Sequence, residues 1–164
     1  MKRPITTLFM LMSLDGKIST GATDAFDIDQ DFPKIPGLCE GLHQYYEIEQ
    51  TTDLWSLNSG RVQQKLGVNE KAFPKTRSAV SFVLVDNHHL DAHGVAYYTH
   101  LAKRVVIVTS NHDHPACQVS ADNLDIIFQD PFHAESMLET LYNQFGCDPV
   151  GWYTECSFLK RKSI

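Results

Sequence analysis

Apolar runs of strand length alternate along this chain with segments of helical periodicity. The runs begin near Ile5, Asp53, Ala79, Arg104 and Leu124, and they are rich in Val, Ile and Leu. Such continuous runs are typical of strands buried on both faces, and their alternation with helices favours a parallel sheet between two helical layers. The pattern therefore predicts an α/β protein, with one three-layer domain over residues 1–164 built around a mostly parallel central sheet.

The helical segments differ in how clearly they are marked. Residues 38–50 and 134–145 repeat apolar side chains at helical spacing, while 94–101 is a shorter, aromatic segment. The clearest helix carries Met137, Leu141 and Phe145 on one face, with Gly146 placed to cap its end. Residues 62–66, which follow a short strand over 52–57, are predicted to form one or two helical turns.

Polar or glycine-containing turns follow three of the predicted strands. They are Ser13-Leu14-Asp15-Gly16-Lys17, Asn58-Ser59-Gly60-Arg61 and Thr109-Ser110-Asn111. In parallel α/β sheets ligands bind beyond the carboxyl ends of the strands. Small residues there let backbone N–H groups approach a phosphate, and a helix N-terminus adds partial positive charge. Each segment alone is more simply a turn, but three at successive strand ends favour a nucleotide site.

The common nucleotide-binding motifs are absent from the sequence. It contains neither G-x-G-x-x-G nor G-x-x-x-x-G-K-[ST]. A classical Rossmann dehydrogenase and a P-loop nucleotidase are therefore disfavoured, and a nucleotide would be held by another α/β arrangement.

Several stretches resemble one family in the same order along the chain. Arg3 to Thr7, continuing through Met12-Ser13-Leu14-Asp15-Gly16-Lys17-Ile18-Ser19, is similar to the opening of the reductase domain of the riboflavin biosynthesis protein family, of the RibD C-terminal type. Residues 53–61, 102–109 and 138–148 follow the same family. The resemblance covers nearly the whole chain and implies a dihydrofolate reductase-like fold.

The resemblance also implies an activity, namely NADPH-dependent reduction of a small pyrimidine, pterin or related substrate. In riboflavin biosynthesis this is the 5-amino-6-(5-phosphoribosylamino)uracil reductase activity. The alternative is a non-catalytic nucleotide-binding or interaction protein with the same fold.

Roles for individual residues follow from the resemblance in the same way. It implies that Met12 and Ser13 lie beside the nicotinamide, and that Thr109 and Ser110 lie near the adenosine phosphate. It implies that the pyrophosphate of the cofactor is bound by Asn58, Ser59, Gly60 and Arg61. Asp15 is the catalytic candidate, and its alternative role is to fix the turn through its own side chain.

Two stretches depart from the family pattern around the substrate. Ala25-Phe26-Asp27 stands where the family has a Ser-x-Trp element, and Glu47 and Glu49 stand where arginines are expected. Acidic residues in these positions would repel a phosphorylated ribitol-type substrate. The sequence therefore does not name the substrate.

The C-terminal segment departs further, since residues 151–156 replace a Gly-Gly-Thr-Leu-Asn turn. One interpretation is a compensated frameshift with truncation after Ile164, and the other is a lineage that lost the turn. Either predicts an altered end to the sheet after about residue 148, with an uncovered edge. Because such an edge pairs readily with another chain, we expect a homodimer that buries Trp152, Tyr153, Phe158 and Leu159.

Charge and cysteine content limit the other classes of function. The formal net charge of −6 disfavours binding to nucleic acid or to a membrane surface. Four cysteines without a C-x-x-C pair favour a reducing, cytoplasmic location. Met1-Lys2-Arg3 with the following apolar run is similar to a signal peptide, but Ser13 to Lys17 stands where the cleavage site would be. A small molecule is the expected partner.

Two metal-binding alternatives are weaker. His88, His89 and His93, and His112-x-His114 with Cys117, have spacings that zinc ligands use, but no cysteine pairs support them, and we predict no metal. His133-Ala134-Glu135 is similar to the deaminase motif H-x-E, yet no Pro-Cys-x-x-Cys follows it. Glu135 is therefore interpreted as an acidic residue in the first turn of a helix.

Overall fold

The computed structural model describes residues 4, 6–9, 31, 34–38, 41, 44, 54–145 and 152–155. Its strands are β1 (Thr6–Phe9), β2 (Trp55–Ser59), β3 (Ser81–Val85), β4 (Val105–Thr109), β5 (Leu124–Phe128) and β6 (Trp152–Glu155). The helices are α1 (Gly60–Lys65), α2 (Ala92–Leu101) and α3 (Ala134–Phe145). Short 3-10 turns cover Val68–Glu70 and Pro115–Gln118.

The six strands form one sheet in the order β1-β6-β2-β3-β4-β5. Every neighbouring pair for which the register is described runs parallel. Each of the five predicted strands is present and begins within two residues of its predicted start. The predicted parallel sheet is therefore confirmed.

Two apolar clusters cover opposite faces of this sheet. Successive residues of a strand point to opposite faces, so Ile107 packs with α2 residues Val95 and Tyr98, whereas Val106 packs with α3 residues Met137 and Leu141. All six are buried. The three-layer architecture is confirmed for the described part of the chain.

The helix boundaries in the structure can be compared with those that the sequence pattern predicts. α3 spans the predicted residues 134–145, and Glu135 lies in its first turn as expected. α2 begins two residues earlier than predicted, because the Asp91 side chain caps it by accepting a hydrogen bond of 2.8 Å from the Gly94 N–H. The predicted helix over 38–50 lies largely outside the described residues. None of the described helices is both long and apolar enough to cross a membrane.

The prediction for β2 was wrong at its carboxyl end. The strand was expected to end at Leu57 and to be followed by a turn. Instead, Asn58 and Ser59 belong to β2, and α1 begins at Gly60. Polarity suggested a turn, yet Ser56 and Asn58 are buried and hydrogen-bonded to each other, with Asn58 Nδ2 donating to Ser56 Oγ over 2.6 Å. Buried polar side chains are tolerated in a strand when they are satisfied in this way.

Residues 152–155 of the C-terminal segment form a strand inside the sheet. β6, which contains Trp152 and Tyr153, is an interior strand that pairs with β1 on one side and with β2 on the other. Within the described sheet the outer strands are β1 and β5. The strand at 152–155 is thus paired on both sides, and the homodimer stays a prediction.

Candidate functional site

The carboxyl ends of β2, β3 and β4 lie side by side at one edge of the sheet. Ser59 is in register with Val85, and Val85 with Val108, so the residues that follow these strands are neighbours. The prediction that Ser59 and Thr109 share an edge is confirmed. Met12, Ser13 and Asp15, which were predicted at the same edge, lie outside the described residues.

Asp86, the first residue after β3, is the centre of this edge. Its carboxylate is buried and accepts hydrogen bonds from four donors. Two are the backbone N–H groups of His89 and Leu90, at 3.1 and 2.9 Å. The other two are side-chain nitrogens, Nδ1 of His89 at 2.9 Å and Nε2 of His114 at 3.0 Å.

These contacts determine the charge of Asp86. Burial by itself raises the pKa of the carboxyl group, but the hydrogen bonds from His114, Leu90 and His89 outweigh it and lower the pKa to about 2. Asp86 is thus a buried carboxylate at neutral pH. A group so fully engaged holds the strand ends in place and is not itself exposed to a substrate.

His114 is held in one protonation state by its two partners. Its Nδ1 accepts a hydrogen bond of 3.1 Å from the Ala116 N–H and must therefore keep its lone pair. Its Nε2 faces the carboxylate of Asp86, which can only accept, so Nε2 carries the hydrogen. His114 is neutral and fully buried.

His89 differs from His114 in exposure. Its Nδ1 donates to Oδ1 of Asp86, and its side chain is 39% exposed. Its Nε2 forms no hydrogen bond with any of the described residues. Asp86 therefore orients an imidazole at the edge of the sheet and leaves one ring nitrogen accessible.

Gly60 lies directly against Asp86. A β-carbon built on Gly60 would lie 2.5 Å from both Cβ and Oδ1 of Asp86. Only glycine allows the start of α1 to approach the end of β3 this closely. The predicted importance of Gly60 thus has a structural reason, which is close approach within the protein.

The predicted residues at the end of β4 are engaged by Asn87. Its Oδ1 accepts hydrogen bonds from Thr109 Oγ1 at 2.9 Å and from the Ser110 N–H at 2.8 Å. Thr109 Oγ1 in turn accepts from the Asn111 N–H, and Asn111 Nδ2 donates to the Asn87 carbonyl. The Thr109 hydroxyl is buried and used within the protein, while Ser110 is partly exposed.

Asn58 belongs to a second buried polar chain, below the edge. Tyr98 Oη donates to Gln63 Oε1 over 2.6 Å, and Gln63 Nε2 donates to Asn58 Oδ1 over 3.5 Å. This chain ties α2 to α1 and β2. The Asn58 side chain is therefore turned inward, and any role in cofactor binding would be indirect.

Ser59 and Arg61 flank Gly60 and are both partly exposed. Ser59 occupies the N-cap position of α1 but makes no capping hydrogen bond through its side chain. The Ser59 side chain therefore caps none of the first N–H groups of α1.

The zinc-like sequence patterns do not converge in space. His112 stacks on Phe128 with ring centroids 4.8 Å apart, whereas His114 is buried against Asp86. His93 stacks on Phe73. Among the described residues, no group of three or more His, Cys, Asp or Glu side chains is arranged to hold a metal ion.

Asp86 and Asn87 are the residues that the sequence analysis missed. The available signal was an Asp-Asn pair directly after an apolar strand, since side chains that bond to nearby backbone are favoured where a strand ends. The contact of Asp86 with His114, 28 residues away, had no local signal.

With this geometry established, one solved structure is informative. The crystal structure of a diaminohydroxyphosphoribosylaminopyrimidine deaminase/5-amino-6-(5-phosphoribosylamino)uracil reductase from Thermotoga maritima is similar to this chain, with a TM-score of 0.53 and 19% sequence identity. The alignment covers 93% of this chain and 39% of that one, so the chain spans well under half of its length. No family model and no curated protein matches the chain.

At this identity the likeness shows the fold alone. The chain has the α/β fold of the aligned part of that deaminase/reductase, and the predicted dihydrofolate reductase-like class is confirmed.

Proposed function

We propose that this protein is an NADPH-dependent reductase acting on a small pyrimidine, pterin or related molecule. The observation that carries the proposal is the arrangement at the carboxyl edge of the sheet. There the glycine start of α1 and the Thr109–Ser110 segment flank the end of β3, in a fold shared with a deaminase/reductase. Ligands of parallel α/β sheets bind at this edge.

The chemistry of the described residues fits a phosphate-bearing cofactor. The Ser59 side chain does not cap the start of α1, and N–H groups at the start of a helix are donors of the kind that bind phosphate oxygens. Arg61, one residue into the helix, would add a full positive charge. NADPH would supply the hydride, while this chain would bind and orient it.

The described residues divide into those that would meet the cofactor and those that would support them. Ser59, Gly60, Arg61 and Ser110 are at the edge and would contact the cofactor. Asn58 and Thr109 have their side chains engaged within the protein and would hold those contacts in position. Met12 and Ser13 are proposed at the nicotinamide, and Asp15 as the catalytic residue, from the sequence resemblance.

The substrate class rests on the structural neighbour and the sequence resemblance together. The neighbour is named as a 5-amino-6-(5-phosphoribosylamino)uracil reductase, and this compound is the first substrate to test. The acidic residues Glu47 and Glu49 favour an unphosphorylated relative of it, because like charges repel. The dephosphorylated compound is therefore the second.

Two measurements, made one after the other, test the proposal. NADPH at about 100 times its dissociation constant should stabilise the fold by about 2.7 kcal/mol, which is visible as a thermal shift. NADPH oxidation is then followed with each candidate substrate. The absence of a shift with both NADPH and NADH would refute the reductase, whereas binding without turnover on any pyrimidine or pterin would favour the non-catalytic nucleotide-binding alternative.

A further inference from the structure

A pair of stacked aromatic rings lies at the carboxyl edge of the sheet, beyond the end of β4. The rings of His112 and Phe128 have centroids 4.8 Å apart and an angle of 17° between their planes. Phe128 is the last residue of β5 and is 45% exposed. His112, in the loop that follows β4, is also exposed. Two flat rings at the edge where ligands of such sheets bind are therefore only partly covered by the described part of the chain.

The strand register places this pair beside the segment proposed for the adenosine end of the cofactor. Phe128 is in register with Thr109 on the neighbouring parallel strand, and such strands are about 4.8 Å apart. Side chains in register point to the same face of a sheet. Two residues earlier, Ile107 and Ile126 both pack in the cluster on the α2 side, so Thr109 and Phe128 also point to that side. The stacked pair of Phe128 and His112 therefore lies on the α2 side of the sheet, next to the end of β4.

The loop that carries His112 is held on both sides of this residue. Asn111 Nδ2 donates to the Asn87 carbonyl over 2.8 Å, and Asn111 Oδ1 accepts from the Asp113 N–H over 3.0 Å. The His114 N–H donates to the Asn111 carbonyl, and the His114 side chain is fully buried. A ligand that stacks on the pair would not have to order this loop first, which lowers the entropic cost of binding.

The chemistry of the surface favours an uncharged flat ring over a phosphate. Residues 109–118 contain no lysine or arginine, so the loop offers an aromatic face without a permanent cation. NADPH contains two flat rings, nicotinamide and adenine. The nicotinamide contacts are proposed after β1, and β1 and β5 are at opposite ends of the strand order. Adenine is therefore the ring that would reach the end of β5.

We propose that the adenine of NADPH stacks on the His112–Phe128 pair and extends it by one ring. This inference rests on the proposed function and adds a base-binding surface to that site. Stacking on aromatic side chains contributes affinity through the face of the base and does not depend on hydrogen bonds to its edge. The pair thus contributes to binding of the adenine end of the cofactor and not of the nicotinamide end.

Four substitutions separate stacking from other effects on the surface. Phe128→Leu keeps an apolar side chain but removes the flat ring, whereas Phe128→Tyr keeps the ring. His112→Ala removes the other ring of the pair. Phe132→Leu is the matched control, because Phe132 is 42% exposed in the segment after β5 and lies outside the pair.

The measurement is the dissociation constant of the full chain for three probes by titration calorimetry, with thermal unfolding of each unliganded variant as the check on folding. The probes are NADPH, AMP and reduced nicotinamide mononucleotide, which lacks adenine. We expect Phe128→Leu and His112→Ala to weaken NADPH and AMP by about tenfold, as the loss of a stacked ring does. Binding of the mononucleotide should not change, and Phe128→Tyr and Phe132→Leu should match the original protein.

The outcomes that overturn the inference differ from those that overturn the proposed function. If NADPH binds the original protein and the two ring-removing variants equally well, adenine does not stack here, while the reductase proposal stands. The inference also fails if Phe128→Tyr is as weak as Phe128→Leu, or if the mononucleotide is weakened as much as NADPH. If the original protein binds AMP but not NADPH, the reductase proposal fails, and loss of AMP affinity in Phe128→Leu still supports base stacking. If it binds neither, both fail.

Discussion

Gly60 and Asp86 approach so closely that a β-carbon on Gly60 would overlap the carboxyl group of Asp86. Four hydrogen-bond donors hold that carboxyl group, so it cannot move aside without losing them. Gly60→Ala should therefore destabilise the protein by about 1–3 kcal/mol, as overpacking does. Urea unfolding checks this. The control is Gly41→Ala, where an added β-carbon would meet no atom of the described part of the chain within 4 Å, and equal stability losses in the two variants would contradict the explanation.

Asp86 should make the stability depend on pH in the acid range. Its pKa falls from 3.8 to about 2 on folding, so it contributes about 2 kcal/mol above the unfolded pKa, which is lost as pH falls through the folded pKa. About half of this should be gone near pH 3. Urea unfolding near pH 6 and near pH 3 measures the loss, and Asp86→Asn is compared because it lacks this titration. A difference between the two proteins that stays constant over this range would show that Asp86 does not titrate in this way.

The Asn87 side chain should stabilise the protein by holding the end of β4 in place. Asn87→Ala removes the acceptor for the Thr109 hydroxyl and the Ser110 N–H, both of which are in contact with its Oδ1. Leaving these donors without their acceptor should cost about 1–3 kcal/mol in the free energy of unfolding. Hydrogen exchange at Ser110 should accelerate in the variant. Unchanged protection at Ser110 would show that another acceptor replaces Asn87.

Tyr98→Phe tests whether the Asn58 side chain belongs to the buried hydrogen-bond chain and not to the cofactor site. The substitution removes the hydrogen bond from Tyr98 to Gln63, the residue that donates to Asn58. We expect a loss of about 1 kcal/mol in stability without a change in NADPH affinity, because this chain lies below the sheet edge. Denaturant unfolding and cofactor titration are measured on the same samples. A clear loss of NADPH affinity at unchanged stability would instead place Asn58 at the cofactor.

Arg61→Ala distinguishes two positions for the cofactor phosphates. If Arg61 contacts only the pyrophosphate, the affinities for NADPH and NADH should fall by the same factor. If it contacts the 2′-phosphate, only the affinity for NADPH should fall strongly. Titration with both cofactors decides, and unchanged affinity for both would remove Arg61 from the site. Lys65→Ala, four residues later on the same helix, is the control for a general loss of positive charge.

The sequence by itself determined the classes of element and the sheet. The apolar runs at Ser81–Val85 and Val105–Thr109 predicted parallel strands, because a strand buried on both faces must be apolar at successive positions. The helical periodicity of residues 134–145 predicted both boundaries of α3, since one apolar face determines where a helix can pack. The sequence also predicted that Ser59 and Thr109 lie at one edge of the sheet, because the carboxyl ends of neighbouring parallel strands lie at the same edge.

Only the tertiary structure decided which residues meet at that edge. The insertion of β6 between β1 and β2 depends on pairing between segments that are far apart in sequence, which local patterns do not encode. The same holds for Asp86, whose partner His114 and neighbour Gly60 come from different strand ends. The polarity of Asn58 suggested a turn, but long-range contacts satisfied it within a strand. Burial and hydrogen bonding are properties of the folded neighbourhood, and so the roles of these polar residues follow from the fold.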